Sequence, residues 1–229
     1  MPLDITKIQG LCFDVDGTLS DTDDMFVRRL VHWLRPVSIL FPHRDPHPVA
    51  RRMVMATETP ANLLFEVFDR LGIDDEISGL GDYIYCHGLG RTPEPFMIIT
   101  GIQLMLEQLQ KHYPLSVVSA RGRSSTLRFL EQFGLGGYFH CVATAHTCKH
   151  SKPYPDPICW AATQTGISAE TCLMIGDTTV DIRAGKAAGA QTVGVLCGFG
   201  QEQELRLAGA DLILNSTAMI SDILLNSPQ

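Results

Sequence analysis

Two rhythms of apolar positions divide the chain. Ile8 to Phe13 is a short apolar run interrupted by one glycine, as in a strand buried on both faces. From Asp21 the spacing becomes helical. Asp21-Thr22-Asp23-Asp24 puts acids at the positive end of a helix dipole, and Phe26, Leu30, Val31 and Leu34 follow at helical intervals until Pro36. The Pro-rich stretch from Phe41 to Pro48 predicts a loop. Helices are predicted over 48–55, over 60–71 with a stripe of Leu64, Val67, Phe68 and Leu71, and over 76–86. A different regime begins near Ile99. Predicted helices at 101–111, 124–133, 156–165, 180–188 and 201–208 alternate with predicted strands at 115–119, 140–144, 172–175, 192–196 and 211–214. Such alternation predicts a doubly wound α/β fold, a parallel sheet with helices on both faces. The first strand needs that sheet for partners. Residues 1–20 and 98–229 therefore read as the α/β core, and 21–97 as an inserted all-helical cap domain.

Polar residues at the ends of the apolar runs carry the candidate chemistry. Asp14 and Asp16 follow the first run in Phe13-Asp14-Val15-Asp16-Gly17-Thr18. Ser119 ends Leu115-Ser116-Val117-Val118, and Asp177 ends Leu173-Met174-Ile175-Gly176, with Asp181 soon after. In an open parallel sheet these ends share one edge, where ligands bind. Two acids as close as Asp14 and Asp16 cannot both serve a core, because each needs a partner or a cation once out of water. Lys152 stands in Ser151-Lys152-Pro153-Tyr154-Pro155, between the second and last of these motifs.

Composition narrows the field. A net charge of −7 without basic clustering argues against a nucleic-acid surface. No apolar run approaches the roughly 20 residues of a membrane helix, and Met1 to Lys7 lacks the pattern of a signal peptide. Seven scattered cysteines without a Cys-x-x-Cys pair suit reduced thiols and a cytoplasmic location. His140, Cys141, His146, Cys148 and His150 are zinc-ligand types, but strand alternation sets His140 and Cys141 on opposite faces, and a bland structural role is the favoured expectation. Arg28-Arg29 and Arg51-Arg52 read as solvated pairs in the cap, where a closing cap would have them available for an anionic substrate.

In their order along the chain, the Asp14, Ser119, Lys152 and Asp177 motifs resemble the haloacid dehalogenase superfamily. Gly176-Asp177-Thr178-Thr179-Val180-Asp181-Ile182-Arg183-Ala184-Gly185 and Ala208-Gly209-Ala210-Asp211-Leu212-Ile213-Leu214 look like its phosphoglycolate phosphatase-like branch, which carries a helical cap between the first two motifs. The resemblance implies a Mg²⁺-dependent phosphatase acting on a small phosphorylated metabolite through an aspartyl-phosphate. Asp14 is the implied nucleophile. Asp14, Asp177, the Asp16 carbonyl and, indirectly, Asp181 are the implied metal ligands. The Asp16 side chain is the implied acid and base. Ser119, Lys152 and Thr18, with the Ala120 and Arg121 positions, are the implied phosphate and substrate contacts. Arg121 reads equally as a helix-start residue. The resemblance leaves the assembly as monomer or homodimer.

Three rival activities keep the same nucleophile. A dehalogenase needs neither Mg²⁺ nor an acid at position 16. A phosphonatase needs a cap lysine, and 21–97 contains none. A β-phosphoglucomutase keeps Asp14, Asp16, Lys152 and Asp177 and stays open as the alternative. A non-catalytic binding protein has little use for so complete a set.

Overall fold

The computed structural model describes residues 3–21 and 96–226, with positions 31, 32, 34, 35, 46 and 49. The chain divides into two compact units, one of Met1–Ser20 with Glu94–Gln229 and one of Asp21–Pro93. The helices expected over 48–55, 60–71 and 76–86, the Phe41–Pro48 loop and the two arginine pairs fall wholly or largely outside the described residues.

Six parallel strands form the sheet of the first unit: β1 (Gly10–Phe13), β2 (Leu115–Val118), β3 (Phe139–Ala143), β4 (Cys172–Gly176), β5 (Gln191–Val195) and β6 (Leu212–Leu214). Their spatial order is β3-β2-β1-β4-β5-β6. The order reverses direction beside β1, which pairs with β2 on one side and β4 on the other. This is the switch point at which doubly wound sheets open a crevice beyond the strand ends. The helices between the strands are α1 (Ile102–Leu109), α2 (Arg123–Gln132), α3 (Asp156–Thr165), α4 (Thr179–Ala187) and α5 (Glu202–Ala208), and α6 (Ile220–Asn226) follows β6.

The period of two along each strand splits the core into two layers. Leu11 and Phe13 of β1, with Leu173 and Ile175 of β4, face the large side chains of α1, α2 and α6, among them Leu106, Phe129 and Ile220. Cys12 and Met174, one residue out of step, face Ile158, Ala161 and Ala162 of α3 and Ala184 of α4. On this face the helices contribute mostly alanines, Ala161, Ala162 and Ala184, beside Ile158. Helix α6 was not expected: Ile220, Ile223 and Leu224 carry a helical stripe, but only over seven residues at the end of the chain.

Phe129 is fully buried, edge-on to Phe96 at 5.8 Å and to Phe133 at 5.4 Å. Phe129→Ala should lower unfolding free energy by about 3–5 kcal/mol. Leu207→Ala, at a position 81% exposed, should stay within about 0.5 kcal/mol of wild type. Urea denaturation of both variants checks the expected burial.

Candidate active site

Asp14 extends the β1 ladder by one bond, its N–H donating to the Ile175 carbonyl at 3.0 Å. The chain then knots. The Val15 carbonyl accepts N–H bonds from Thr18, Leu19 and Ser20, and Gly17 adopts φ +66° to close the turn. A Cβ on Gly17 would lie 2.2 Å from an Asp177 carboxylate oxygen, so the residue must be glycine for space as well as for backbone. Asp177 directly follows β4 and Ser119 directly follows β2. Lys152 comes from the loop between β3 and α3. The structure thus brings residues far apart in sequence to the switch-point edge.

Lys152 is the junction. Its ammonium contacts Asp14 Oδ1 at 2.8 Å and Asp181 Oδ1 at 2.6 Å, with all three side chains nearly excluded from solvent. Asp181 sits in the first turn of α4, where its Oδ2 accepts from the Thr178 N–H at 3.0 Å and the Thr178 hydroxyl at 2.7 Å. Both Asp181 oxygens are therefore engaged, one capping the helix and one holding the lysine. Asp177 accepts the Phe199 N–H at 2.9 Å on Oδ2 and the Thr18 hydroxyl at 3.4 Å on Oδ1.

Carboxylate oxygens of Asp14, Asp177 and Asp181 lie within 4.8 Å of one another. One ammonium faces three buried acids, and the imbalance appears in their proton affinities. Burial, reinforced by Asp181 and Asp16 against the pull of Lys152, pushes Asp14 up from 3.8 to about 7. Burial, then the charges of Asp181 and Asp14, raises Asp177 well above the carboxylate range. Burial pulls Lys152 down, but Asp14 and Asp181 outweigh it and hold the ammonium above its usual value. Buried, hard oxygen donors short of positive charge fit a divalent cation of the Mg²⁺ or Ca²⁺ type. Asp14 and Asp177, at the ends of β1 and β4, are the direct candidates that the resemblance also implies, while Asp181 holds Lys152 and caps α4.

Ser119 is buried, and its Oγ accepts the Arg121 N–H at 3.1 Å. The Thr18 hydroxyl is turned to Asp177. Arg121, which read equally as a helix-start or substrate residue, pairs with the Asp16 carboxylate through Nε at 2.9 Å and through Nη2. Ala120 is exposed at the same strand end. Of the Cys/His stretch, His140 is exposed while Cys141 lies inward, 3.3 Å from Ser116 Oγ. The loop after β5 also reaches the candidate site, which the sequence pattern did not single out. Gly198-Phe199-Gly200 wraps Asp177 so closely that a Cβ on Gly200 would meet its carbonyl at 1.8 Å. Two glycines just past a predicted strand, on the same sheet edge, were the available signal.

A family profile described as haloacid dehalogenase-like hydrolase matches residues 11–195, spanning every strand end that forms this site. The chain belongs to that family. Among its relatives, the pyrophosphatase PpaX of Anoxybacillus flavithermus is 29% identical, over 95% of this chain and 97% of the relative. The phosphoglycolate phosphatase of Shigella boydii is 25% identical, over 95% and 91%. A crystal structure of a predicted phosphatase from Clostridium acetobutylicum superposes with a TM-score of 0.68 at 22% identity, covering 96% of this chain and 99% of its own. Both of these relatives carry phosphatase names, and the chain is an enzyme of the hydrolase family that the profile describes. Among the described residues no helix is long and apolar enough to cross a membrane.

The cation-site reading has a signed pH consequence. With Asp14 raised from 3.8 to about 7, the metal-free folded state holds this proton more tightly than the unfolded chain. The resulting stability is full below the unfolded value and lost as pH rises through the folded one. A bound cation favours the carboxylates instead. Added Mg²⁺ should therefore raise the melting temperature more at about pH 8 than at about pH 5, reversibly with EDTA. An equal rise at both values, or none, would contradict a cation site at Asp14 and Asp177.

Proposed function

We propose that this phosphatase hydrolyses a small phosphorylated metabolite with Mg²⁺, in two steps through phospho-Asp14. The observation that carries the proposal is the Asp14–Lys152–Asp181 chain beside Asp177 at the switch-point edge. The Anoxybacillus and Shigella relatives both act, by their names, on small phosphorylated molecules.

Asp14 is the only carboxylate of the cluster that both ends a strand and touches the lysine, which suits it to attack phosphorus. Lys152 stays charged under the pull of two acids and offsets the negative charge of the transferring phosphoryl group. Ser119, at the end of the neighbouring strand, brings a hydroxyl suited to holding a phosphate oxygen. Mg²⁺ held by Asp14, Asp177 and the Asp16 carbonyl would neutralise part of the charge shared by nucleophile and phosphate. In the first step the new Asp14 oxygen–phosphorus bond forms as the ester bond breaks, and the leaving oxygen takes a proton from Asp16. In the second, water attacks phosphorus and gives its proton to Asp16, and the Asp14 carboxylate is released. The helical cap read over 21–97 would select the substrate and exclude water. A cytoplasmic location, as monomer or homodimer, belongs to the same proposal.

Hydrolysis of an aryl phosphate should require Mg²⁺ and disappear in EDTA, and full activity in EDTA would sink the metal-dependent route. Asp14→Asn should abolish turnover in a protein that still folds, as read by circular dichroism. Asp16→Ala should slow hydrolysis by roughly 10²–10⁴-fold, and more for an alkyl than for an aryl phosphate, whose leaving group departs without a proton. Equal losses for both esters would remove Asp16 as the donor. Halide release from a 2-haloacid would overturn the phosphatase assignment for the dehalogenase one. Activation by a sugar bisphosphate would favour the mutase.

A further inference from the structure

The turn from Asp14 to Ser20 makes its inner hydrogen bonds by itself but not its outer ones. The Val15 carbonyl takes three N–H bonds, and the Gly17 N–H donates to the Ser20 carbonyl at 2.9 Å. The carbonyls of Gly17 and Thr18 receive no backbone N–H among the described residues. Their donors are side chains from the last part of the chain. The Thr217 hydroxyl, fully buried, donates to the Thr18 carbonyl at 2.7 Å, across 199 residues. The Cys197 thiol lies 3.5 Å from the Gly17 carbonyl oxygen and 3.4 Å from the Thr217 hydroxyl. The paired strands β5 and β6 deliver these two side chains together, since Cys197 closely follows one and Thr217 the other. Hydroxyls on other helical turns of the chain bond locally. Those of Thr126, Thr165 and Ser221 donate to carbonyls three or four residues back. Thr217, at the start of the single turn Thr217–Met219, instead reaches across to the segment that carries Asp16.

We propose that Thr217, assisted by Cys197, is a positioning residue that holds the Asp16–Thr18 backbone in its working place. This rests on the proposed phosphatase reading, in which that turn offers the Asp16 carbonyl to Mg²⁺ and the Asp16 carboxyl to the leaving oxygen. The same turn sets the Thr18 hydroxyl on Asp177. Both residues lie beyond the stretch matched by the family profile, which ends at residue 195. A buried carbonyl deprived of its donor must find another, and the turn can do so only by shifting. Such a shift moves Asp16 away from both tasks while Asp14, anchored in β1, stays. Small misplacements of this kind cost rate without unfolding the protein.

The test uses the full chain. Thr217→Val keeps the branched shape and removes the donor, and Thr217→Ser keeps the donor. Ile220→Val, at a fully buried position in α6, removes one methylene and no hydrogen bond, and so controls for lost stability. Amide hydrogen exchange of the Gly17–Ser20 peptide should quicken roughly tenfold in Thr217→Val, the size of one lost buried hydrogen bond. By calorimetry Mg²⁺ should bind roughly 5–20-fold more weakly, for the same reason. With saturating Mg²⁺, kcat for an aryl phosphate should fall while KM holds. Thr217→Ser should return all three readouts close to wild type, and Ile220→Val should move none of them. If Thr217→Val melts earlier yet keeps the wild-type readouts, or if Ile220→Val reproduces its losses, the hydroxyl is merely structural and the inference is overturned. If Thr217→Val does not fold, Cys197→Ala takes its place. It should then weaken Mg²⁺ binding by about 2–5-fold, as a weaker donor is lost, and unchanged affinity overturns the inference. Wild type that hydrolyses no phosphate ester contradicts the phosphatase reading alone. Exchange in the turn and Mg²⁺ affinity still decide the role of Thr217.

Discussion

Three buried carboxylates cluster at one lysine that touches only two of them, and the rest of the site is arranged around that imbalance. Lys152 bridges Asp14 and Asp181 at 2.8 and 2.6 Å. Asp177 receives a backbone N–H and a hydroxyl but contributes a further buried acid to the group. Such a cluster is costly unless positive charge enters. Every nearby element limits that cost. The α4 terminus supplies Thr178 to Asp181, the loop after β5 supplies the Phe199 N–H to Asp177, and the Asp14–Ser20 turn brings Thr18. The surplus of buried negative charge is the same feature that fits a divalent cation.

The fold converts this electrostatic demand into geometry. Parallel strands aim their C-terminal ends at one edge, and the order β3-β2-β1-β4-β5-β6 puts β1 between the two strands that supply Ser119 and Asp177. The apolar layers beneath, with Phe13 and Ile175 fully buried, pack the strands that carry the acids against their helices. Preorganised charge of this kind is what phosphoryl transfer draws on. Arg121 extends the pattern outward, since the Phe96 ring beneath its guanidinium is tied to α2 through Gln132 and Phe129.

Strand positions were legible because buried parallel strands leave continuous apolar runs between helical stripes, and each expected strand of the core is present within a residue or two. Asp14, Ser119, Lys152 and Asp177 were legible because they sit at or between those runs in a specific order. Other features depend on contacts between segments distant in sequence and leave no local trace. The Arg121–Asp16 pair spans more than a hundred residues, and neither residue type announces the other. The Gly198-Phe199-Gly200 loop is required by its closeness to Asp177, which only folding creates. Asp181 reads as an acid near an acid, and its double use as helix cap and lysine holder follows from the placement of Thr178 and Lys152. Helix α6 is too short for its periodicity to stand out.

The proposed mechanism requires that Asp14 becomes phosphorylated during turnover. A single turnover with substrate in its phosphoryl-labelled form, quenched in acid within milliseconds and followed by peptide mass spectrometry, tests it most directly. A transient, hydroxylamine-sensitive phosphoryl group should appear on the peptide containing Asp14. Phosphate release at the full rate with no phosphoryl group on the protein, or with one on another residue, would contradict it.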